Sequence, residues 1–293
     1  MATRQPLIAI VGPTASGKTA LAIRLAKDIG GEIISADSRA VYKGLSIGTA
    51  KPNLSEQQGV PHWGIDIATP GERFTAADFQ RYARMAIADI RSRGNIPILV
   101  GGTGLYVDSV LYDFEFPTAG QDTKRRDALL LKSVEELHEY CKKYSVELPE
   151  NKMNKRHVVN AILRNNQPLK RKHELEKEIV VVGIATENEI LKTKIKERAK
   201  AIFNDGVINE AVKVAEKYGW ENEAMTGNIY PLIKLYKEGK ITRAELEEKS
   251  AVKDWQLAKR QLTWFRRNEH IHWGSADELY TYVTRRLDKV NNL

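Results

Sequence analysis

The sequence predicts an α/β fold in which a parallel sheet is flanked by helices, with a helical insertion and a helical C-terminal part. Three observations support this prediction. Short apolar runs alternate with amphipathic segments over the first hundred residues, which is typical of a parallel sheet with helices on both faces. A Gly-rich segment joins the first apolar run to the first amphipathic segment. After residue 117 the chain becomes polar, helix-prone and basic.

The elements follow from hydrophobic periodicity and from Gly and Pro breaks. Short apolar runs indicate strands at residues 7–11, 32–35, 96–100 and 179–184. Apolar residues at helical spacing indicate helices at residues 18–29, 79–91, 189–217, 229–238 and 242–267. Strands and helices alternate in the first part of the chain, whereas helices dominate the last hundred residues.

Composition divides the chain into three parts. We expect residues 1–117 to form the first part of a catalytic core, residues 118–178 a helical basic insertion, and residues 179–293 the remainder of the core with C-terminal helices. Between residues 152 and 200, thirteen Lys or Arg stand against six Asp or Glu, a difference of +7 in a chain of net charge +8. Such a basic surface attracts polyanions, although a solvated helix face with surplus lysines explains the charge equally well.

The apolar run lengths and the cysteine and histidine content also bear on location and metal binding. No apolar run reaches the roughly 20 residues of a membrane span, and the first residues lack the pattern of a secretory signal. The single cysteine, Cys141, excludes an intramolecular disulfide. We therefore expect a cytoplasmic protein with no membrane partner. His270 and His272 have no third ligand nearby in sequence, so we interpret them as a strand or loop near Trp273.

The Gly-rich segment matches the pattern Gly-x-x-x-x-Gly-Lys-Ser/Thr between a strand and a helix, which is the context that supports the motif. Its residues are Gly12, Pro13, Thr14, Ala15, Ser16, Gly17, Lys18 and Thr19. Glycines let successive backbone N–H groups point into one concavity, and the following helix adds its positive N-terminal end. Lys18 supplies a mobile positive charge, and the Thr19 hydroxyl is placed to bind Mg²⁺. The motif predicts a P-loop NTPase-like core that binds a phosphate compound, usually a nucleotide.

Two further polar residues follow predicted strands. Asp37 could bind Mg²⁺ through water, bind a ribose or take a proton from a nucleophile; the alternative is a turn or N-cap aspartate. Thr103 lies in a Gly-rich turn, where it could bind a substrate or serve only the turn. Because the carboxyl ends of parallel strands meet at one edge, we expect both near the phosphate loop.

Near the C-terminus, residues 255–267 interleave cations with aromatic side chains. Such a mixture suits phosphate contacts combined with base stacking. The alternative is a helix that buries Trp264 while it exposes Arg266 and Arg267.

Taken together, these segments resemble the tRNA dimethylallyltransferase family, also called isopentenyl-tRNA transferases. The matching segments occur in the family's order at residues 12–19, 34–44, 47–52, 60–66, 100–106 and 258–265. A phosphate loop alone is shared by many enzymes. The specific part is the succession of Asp-Ser-Arg, Gly-Thr-Ala-Lys-Pro and Ala-Lys-Arg-Gln blocks, which together span nearly the whole chain.

The resemblance implies transfer of a dimethylallyl group from dimethylallyl diphosphate to N6 of an adenosine in tRNA. The adenosine is the one 3′-adjacent to the anticodon, in tRNAs that read codons beginning with U. The resemblance further implies that Mg²⁺, Lys18 and Arg198 stabilise the diphosphate with the phosphate loop. Asp37 would accept the N6 proton, and Thr103 would line the reaction channel. The adenosine would have to leave its stack to reach Asp37.

The resemblance also implies the contacts with the partner, a tRNA anticodon stem-loop. The implied tRNA-binding residues are Asp37, Ser38, Arg39, Ala40, Thr103, Arg125, Arg126, Lys155, Arg156, Lys259 and Arg260. One of the two adjacent arginines matches a family arginine that contacts tRNA, and the sequence does not say which. The family further suggests a monomer.

Four departures from the family pattern fall mostly on its tRNA side. Ala40 stands where the family usually has Gln, and Trp63 stands where it has the second of two histidines. Lys194 replaces an arginine of the helix that carries Arg198. Residues 227–231 replace a Gly-Tyr-Lys/Arg/Gln-Glu block. These changes bear on the tRNA contacts more than on the diphosphate site.

Three other functions stay open at this stage. A relative that prenylates free AMP, ADP or ATP would keep the phosphate loop and Asp37 but would need no basic insertion. A small-molecule kinase would explain the phosphate loop and none of the later motifs. A non-catalytic RNA-binding relative would not need Lys18, Thr19, Asp37 and Thr103 together.

Overall fold

The computed structural model describes residues 5–116, 123–167, 170–172, 174–204 and 206–291. The start of the chain and the predicted border between residues 117 and 118 lie outside this range. The chain divides into two compact units, one of Met1–Leu111 with Leu175–Leu293 and one of Tyr112–Glu174. The inserted unit thus begins and ends a few residues earlier than the segment 118–178 that composition marks out.

A parallel sheet forms the centre of the first unit, as the sequence predicts, and it has six strands, two more than the apolar runs indicate. Its strands are β1 (Leu7–Val11), β2 (Gly31–Ser35), β3 (His62–Trp63), β4 (Ile96–Gly101), β5 (Ile179–Ile184) and β6 (His272–Gly274). They lie in the order β3-β2-β4-β1-β5-β6. The two edge strands are short. The interpretation of His270 and His272 is confirmed, because His272 opens β6 beside Trp273.

The described residues form helices α1 (Lys18–Ile29), α2 (Leu54–Gln57), α3 (Ala76–Ser92), α4 (Gly104–Leu111), α5 (Thr123–Leu131), α6 (Val134–Lys143), α7 (Lys155–Arg164), α8 (Asn188–Asn204), α9 (Val207–Tyr218), α10 (Tyr230–Lys237), α11 (Arg243–Phe265) and α12 (Ala276–Asn291). Side-chain caps define several starts. Thr75 and Asp78 form a capping box at α3, and Thr242 and Glu245 form one at α11. In such a box each side chain satisfies a backbone N–H that the helix leaves unpaired.

The helical prediction for residues 189–217 is wrong in one respect, because the structure has two helices there. Helix α9 begins after Gly206, whose φ of 88° lies in the left-handed region that glycine adopts at little cost. The break places Arg198 on α8 and Glu210 on α9.

Alternation of side chains along the strands builds the core on both faces of the sheet. On one face Ile8, Ile10, Ile98 and Val182 pack in one buried cluster with residues of α1 and α12, such as Leu25. On the opposite face, α3 packs against β2 and β4. Strands covered on both faces are uniformly apolar, which explains why short apolar runs were a reliable signal here.

The second unit, Tyr112–Glu174, has its own apolar core. Helices α5, α6 and α7 contribute Leu129, Leu137, Val158 and Ile162 to it. Cys141 is buried among them, and burial raises the pKa of its thiol. A buried, neutral thiol of this kind packs as a small apolar side chain, so Cys141 is part of the unit's core.

Among the described residues, no helix is both long and apolar enough to cross a membrane.

Candidate active site

The order of the strands brings three loops together at the carboxyl ends of neighbouring strands. Strands β2, β4 and β1 are neighbours, and all three run parallel. Their carboxyl ends therefore deliver Asp37, Thr103 and the phosphate loop to the same side of the sheet. These residues line one cleft of about 660 Å³, with contributions from α8, α10 and α11.

Backbone conformation gives the phosphate loop its concave shape. Gly12 and Gly17 have φ values of 146° and 92°, and Ala15 has a φ of 62°. A side chain on Gly12 would crowd the Ser16 hydroxyl at 3.2 Å and the Ile184 carbonyl at 3.4 Å. Gly17 begins α1 without any side-chain cap. The first N–H groups of α1 are thus left for a ligand, as at other helix N-termini that bind phosphate.

Lys18 lies at the base of this loop, where its ammonium donates to the Pro13 carbonyl at 2.5 Å. Burial lowers the pKa of Lys18 to about 8, opposed by the attraction of Asp37 and reinforced by the repulsion of Arg198. An anion bound in the loop would favour the charged ammonium. Lys18 is therefore a proton-sensitive part of the phosphate site.

Two buried polar atoms beside the loop have no hydrogen-bond partner among the described residues. They are the Ser16 hydroxyl oxygen and Arg198 Nε. Arg198 also donates from Nη1 to the Thr14 hydroxyl at 2.6 Å, which fixes its guanidinium against the loop. Buried polar groups are normally paired, so these atoms fit a phosphate ligand.

Thr19 lines the cleft in the first turn of α1. No group of three or more His, Cys, Asp or Glu within the described residues could hold a metal by itself. A hydroxyl beside a phosphate site instead fits Mg²⁺ that is held jointly with phosphate oxygens. The donor set present here is compatible with that arrangement.

Asp37 has one carboxylate oxygen in use and one open. Its Oδ1 accepts hydrogen bonds from the backbone N–H groups of Arg39 at 2.7 Å and Ala40 at 3.3 Å. Its Oδ2 accepts none from any described residue. The local turn, which the sequence left as an alternative, is therefore present, and it fixes the carboxylate while one oxygen stays available in the cleft.

Thr103 connects the ends of β4 and β2. Its hydroxyl accepts from the Ser38 backbone N–H at 3.1 Å, and its own N–H donates to the Ala36 carbonyl at 3.2 Å. Gly101 allows this close approach, because a Cβ there would overlap the Ala36 backbone. Thr103 thus holds the segment that carries Asp37.

Gln261 of α11 is a site residue to which the sequence gave no role. Its side-chain oxygen accepts from the Thr14 backbone N–H at 2.8 Å, and its side-chain nitrogen donates to the Gly102 carbonyl at 3.1 Å. One amide therefore bridges the phosphate loop and the loop after β4. The Ala-Lys-Arg-Gln block of the sequence pointed to this segment, but the contacts of Gln261 depend on the tertiary fold.

The altered block at residues 227–231 also borders the cleft. Tyr230 is buried, and its hydroxyl donates to Glu210 Oε1 at 3.1 Å. Burial, with the neighbouring Glu210 carboxylate, raises the pKa of Tyr230. Glu210 accepts three successive N–H groups, from Ser46, Ile47 and Gly48, at 2.6 to 3.0 Å. These bonds fix the start of the Gly-Thr-Ala-Lys-Pro loop.

The departure at Trp63 has a local explanation. The Trp63 indole donates to the buried Glu32 carboxylate at 2.8 Å. Burial by itself would raise the pKa of Glu32, but hydrogen bonds from Arg93, Trp63 and Asn95 outweigh it and lower that pKa to about 2. Trp63 in β3 thus donates a hydrogen bond to the ion pair between Glu32 of β2 and Arg93 at the end of α3. Ala40, another of the four departures, is buried, with only 5% of the residue exposed.

The structure gathers most of the predicted site residues in the cleft. Those that line it are Thr14, Ala15, Gly17, Lys18, Thr19, Asp37, Ser38, Arg39, Ala40, Thr103, Arg198 and Arg260. Arg39 also donates to the Glu223 carbonyl at 2.7 Å. Lys259 is exposed on α11 outside this lining, with its ammonium 5.8 Å from the Trp255 ring centre.

Four predicted tRNA contacts lie in the second unit. Arg125 donates to the Tyr140 hydroxyl at 3.2 Å, and Arg126 donates to the Asn160 side chain at 2.7 Å. Lys155 and Arg156 open α7, where the Lys155 ammonium donates to a backbone carbonyl at 3.3 Å. Both arginines are held by neighbours in the unit, so the choice between them as the tRNA contact stays open.

A family model described as IPP transferase matches residues 40–268. The chain belongs to this family. Two relatives are each 36% identical and are covered almost completely: a tRNA dimethylallyltransferase of Anoxybacillus flavithermus (98% of this chain, 95% of the relative) and one of Bacillus subtilis (98% and 99%). The sequence-based resemblance is thereby confirmed.

Solved structures agree with this IPP transferase assignment. A tRNA isopentenylpyrophosphate transferase from Bacillus halodurans superposes with a TM-score of 0.76 at 32% identity, covering 98% of both chains. A eukaryotic dimethylallyltransferase described as acting on tRNA has a TM-score of 0.76 at 23% identity, covering 93% of this chain and 74% of that one. The second likeness concerns the fold alone. The predicted P-loop NTPase-like parallel sheet is confirmed.

Proposed function

We propose that this protein transfers a dimethylallyl group from dimethylallyl diphosphate to N6 of the tRNA adenosine 3′-adjacent to the anticodon. The tRNAs would be those that read codons beginning with U. One observation carries the proposal: a phosphate loop and an aspartate with an open carboxylate oxygen line the same cleft. This is the arrangement that an alkyl transfer from a diphosphate to a weakly basic nitrogen requires.

The residues divide the chemistry between leaving group and nucleophile. The new bond joins N6 of adenosine to C1 of the prenyl group, while the bond from C1 to the diphosphate oxygen breaks. The N6 proton passes to Asp37 Oδ2, because Oδ1 is already occupied by two backbone N–H groups. Proton acceptance of this kind contributes about 10²- to 10⁴-fold in rate.

The phosphate loop stabilises the negative charge that accumulates on the departing diphosphate. Lys18, Arg198 and the first N–H groups of α1 would contact its oxygens. Thr19 would help hold Mg²⁺, which supplies further positive charge to the leaving group. Thr103 would keep Asp37 in register through its bond to Ser38. Lys18 and Thr103 thus act beside Asp37 in the reaction.

Two features support binding of tRNA: the residues that line the cleft and the positive charge of the chain. Ser38, Arg39, Ala40 and Arg260 line the cleft on the side of β2 and α11. The basic stretch from residue 152 to residue 200 would neutralise backbone phosphates of the anticodon stem-loop. Because its substrate is tRNA, we expect the protein in the cytoplasm, and we expect it to act as a monomer.

A substrate panel tests this function. Purified protein, Mg²⁺ and dimethylallyl diphosphate are incubated with an anticodon stem-loop whose anticodon ends in A and is followed by A. We expect one C5 unit on that second adenosine, detected by mass spectrometry of nucleosides. Asp37→Ala and the isosteric Asp37→Asn should both lower kcat by about 10²- to 10⁴-fold, with RNA binding nearly unchanged.

The other members of the panel separate the rival functions. Prenylation of AMP, ADP or ATP with an unmodified stem-loop would favour a free-nucleotide prenyltransferase. Transfer of the terminal phosphate of ATP would favour a kinase. RNA binding without any transfer would favour a non-catalytic relative. Each of these three results would overturn the proposal.

A further inference from the structure

Trp264, near the end of α11, is an exposed aromatic residue that the reaction chemistry described above does not use. Its side chain is 37% exposed, and it lines the cleft together with Asp37, Thr103 and Arg260. Large aromatic side chains at a cleft rim present a flat apolar face to any ligand that enters. Its place in the cleft gives this tryptophan a role to be explained.

The Trp264 ring is held rigidly in spite of its exposure. Its indole N–H donates to Asp108 Oδ2 at 2.8 Å. Its edge lies against the backbone of Gly104, where an added Cβ would overlap the ring atoms. A ring fixed at two points loses little conformational entropy when a second ring stacks on it. Trp264 is therefore preorganised for a planar ligand.

The surroundings of the ring carry the charge that a nucleic acid needs. Arg260 lies one helical turn before Trp264 on α11 and lines the same cleft, and Lys259 is exposed beside it. Leu105, 38% exposed, follows Gly104 at the start of α4. Cations beside an exposed ring are the combination by which proteins bind single-stranded RNA, with phosphate contacts and base stacking.

We propose that Trp264 is a stacking platform for the nucleobase next to the target adenosine in the single-stranded loop. This deepens the proposed function, on which it rests, by naming a residue that positions the RNA. When the target base leaves its stack, its neighbour loses one stacking partner. The indole face supplies a replacement at the mouth of the cleft, so the RNA is held while the adenosine is inside.

The test combines tryptophan variants with abasic RNA. Trp264→Leu keeps an apolar side chain, smaller and without an aromatic face, and Trp264→Phe keeps a smaller aromatic face. We expect Trp264→Leu to weaken stem-loop binding by about 10- to 100-fold, with Trp264→Phe between it and the parent protein. KM for dimethylallyl diphosphate should stay unchanged. Trp220→Phe, at a half-buried tryptophan outside the cleft lining, is the matched control.

An abasic nucleotide placed on either side of the target adenosine identifies the stacked base. At one of the two positions, the parent protein should lose affinity by a factor similar to that of Trp264→Leu. At the same position Trp264→Leu should lose little more, since the partner is already missing. Fluorescence anisotropy of a dye-labelled stem-loop measures this binding without turnover and without relying on Trp264 as the reporter, so a failure of prenyl transfer itself would be recognised separately.

Two results would overturn the stacking proposal. A raised KM for dimethylallyl diphosphate with unchanged RNA affinity would place Trp264 against the prenyl chain instead. Equal additional losses on abasic RNA in parent protein and Trp264→Leu would show that the ring and the base do not interact. Asp108→Ala offers an independent check, because freeing the indole should weaken RNA binding by less than Trp264→Leu does.

Discussion

At the scale of single residues, we expect Lys18 to make binding of the proposed diphosphate substrate depend on pH. Its pKa in the free protein is lowered to about 8, chiefly by burial. A bound diphosphate favours the charged form and raises that pKa. The part of the affinity that depends on the charged Lys18 ammonium is therefore fully present below pH 8. It declines as the pH rises from 8 towards the higher pKa that Lys18 has in the complex.

Calorimetry with dimethylallyl diphosphate from pH 7 to pH 10 measures this effect. We expect affinity to fall by about tenfold per pH unit above pH 8 in the parent protein. Lys18→Met should bind weakly with no such decline, because it has no proton to lose. A decline that persists unchanged in Lys18→Met would assign the titration to another group.

Among single residues, the places of Lys18 and Asp37 could be predicted from the sequence, whereas the contacts of Trp63 could not. The positions of Lys18 and Asp37 followed from a local motif and from a strand end, so both were predictable. The contact between Trp63 and Glu32 joins β3 and β2 and includes Arg93 from the end of α3. Such a contact depends on strand pairing and on tertiary packing, neither of which is encoded near Trp63 itself.

At the scale of elements, α11 holds together the two loops between which we propose that the diphosphate binds. Gln261 accepts from Thr14 and donates to Gly102, so a single amide sets the distance between the phosphate loop and the loop after β4. The donor and the acceptor lie on different loops, and therefore the orientation of the amide group matters as well as its length.

We expect Gln261→Leu to raise KM for dimethylallyl diphosphate by about tenfold, or about 1.4 kcal/mol, because it removes two hydrogen bonds that are each worth about 1 kcal/mol or less to the arrangement of the loops. Gln261→Glu should have a similar effect, because a carboxylate cannot donate to the Gly102 carbonyl. Steady-state kinetics with each substrate varied in turn provides the measurement. The exposed neighbour Gln256, changed to Leu, is the control on the same helix. Unchanged KM in both Gln261 variants would contradict the bridging role.

Elements themselves were largely predictable, with informative exceptions. Apolar runs gave strands β1, β2, β4 and β5 because those strands are buried on both faces. The edge strand β3 has two residues, too few for a pattern, and its pairing with β2 is set by the fold. The break at Gly206 was missed because apolar spacing continues through it. The role of Gln261 could not be predicted either, because its partner Thr14 lies 247 positions away in sequence.

At the scale of the whole molecule, net charge should govern how the protein binds RNA. The chain carries +8, of which the stretch from residue 152 to residue 200 accounts for +7. Part of that stretch lies in the second unit, where α7 begins with Lys155 and Arg156. Each cation that neutralises a phosphate releases counterions, so affinity falls with salt in proportion to the number of contacts.

The slope of log affinity against log salt counts those contacts. For single-stranded RNA, each phosphate contact contributes about −0.7 to the slope. We expect Lys155→Ala with Arg156→Ala to make the slope shallower by about one to one and a half units in fluorescence titrations with the stem-loop. Lys213→Ala with Lys217→Ala on α9 removes the same charge elsewhere and should leave the slope nearly unchanged. Equal changes in both double variants would mean that RNA responds to net charge alone, and the second unit would then have no specific part in RNA binding.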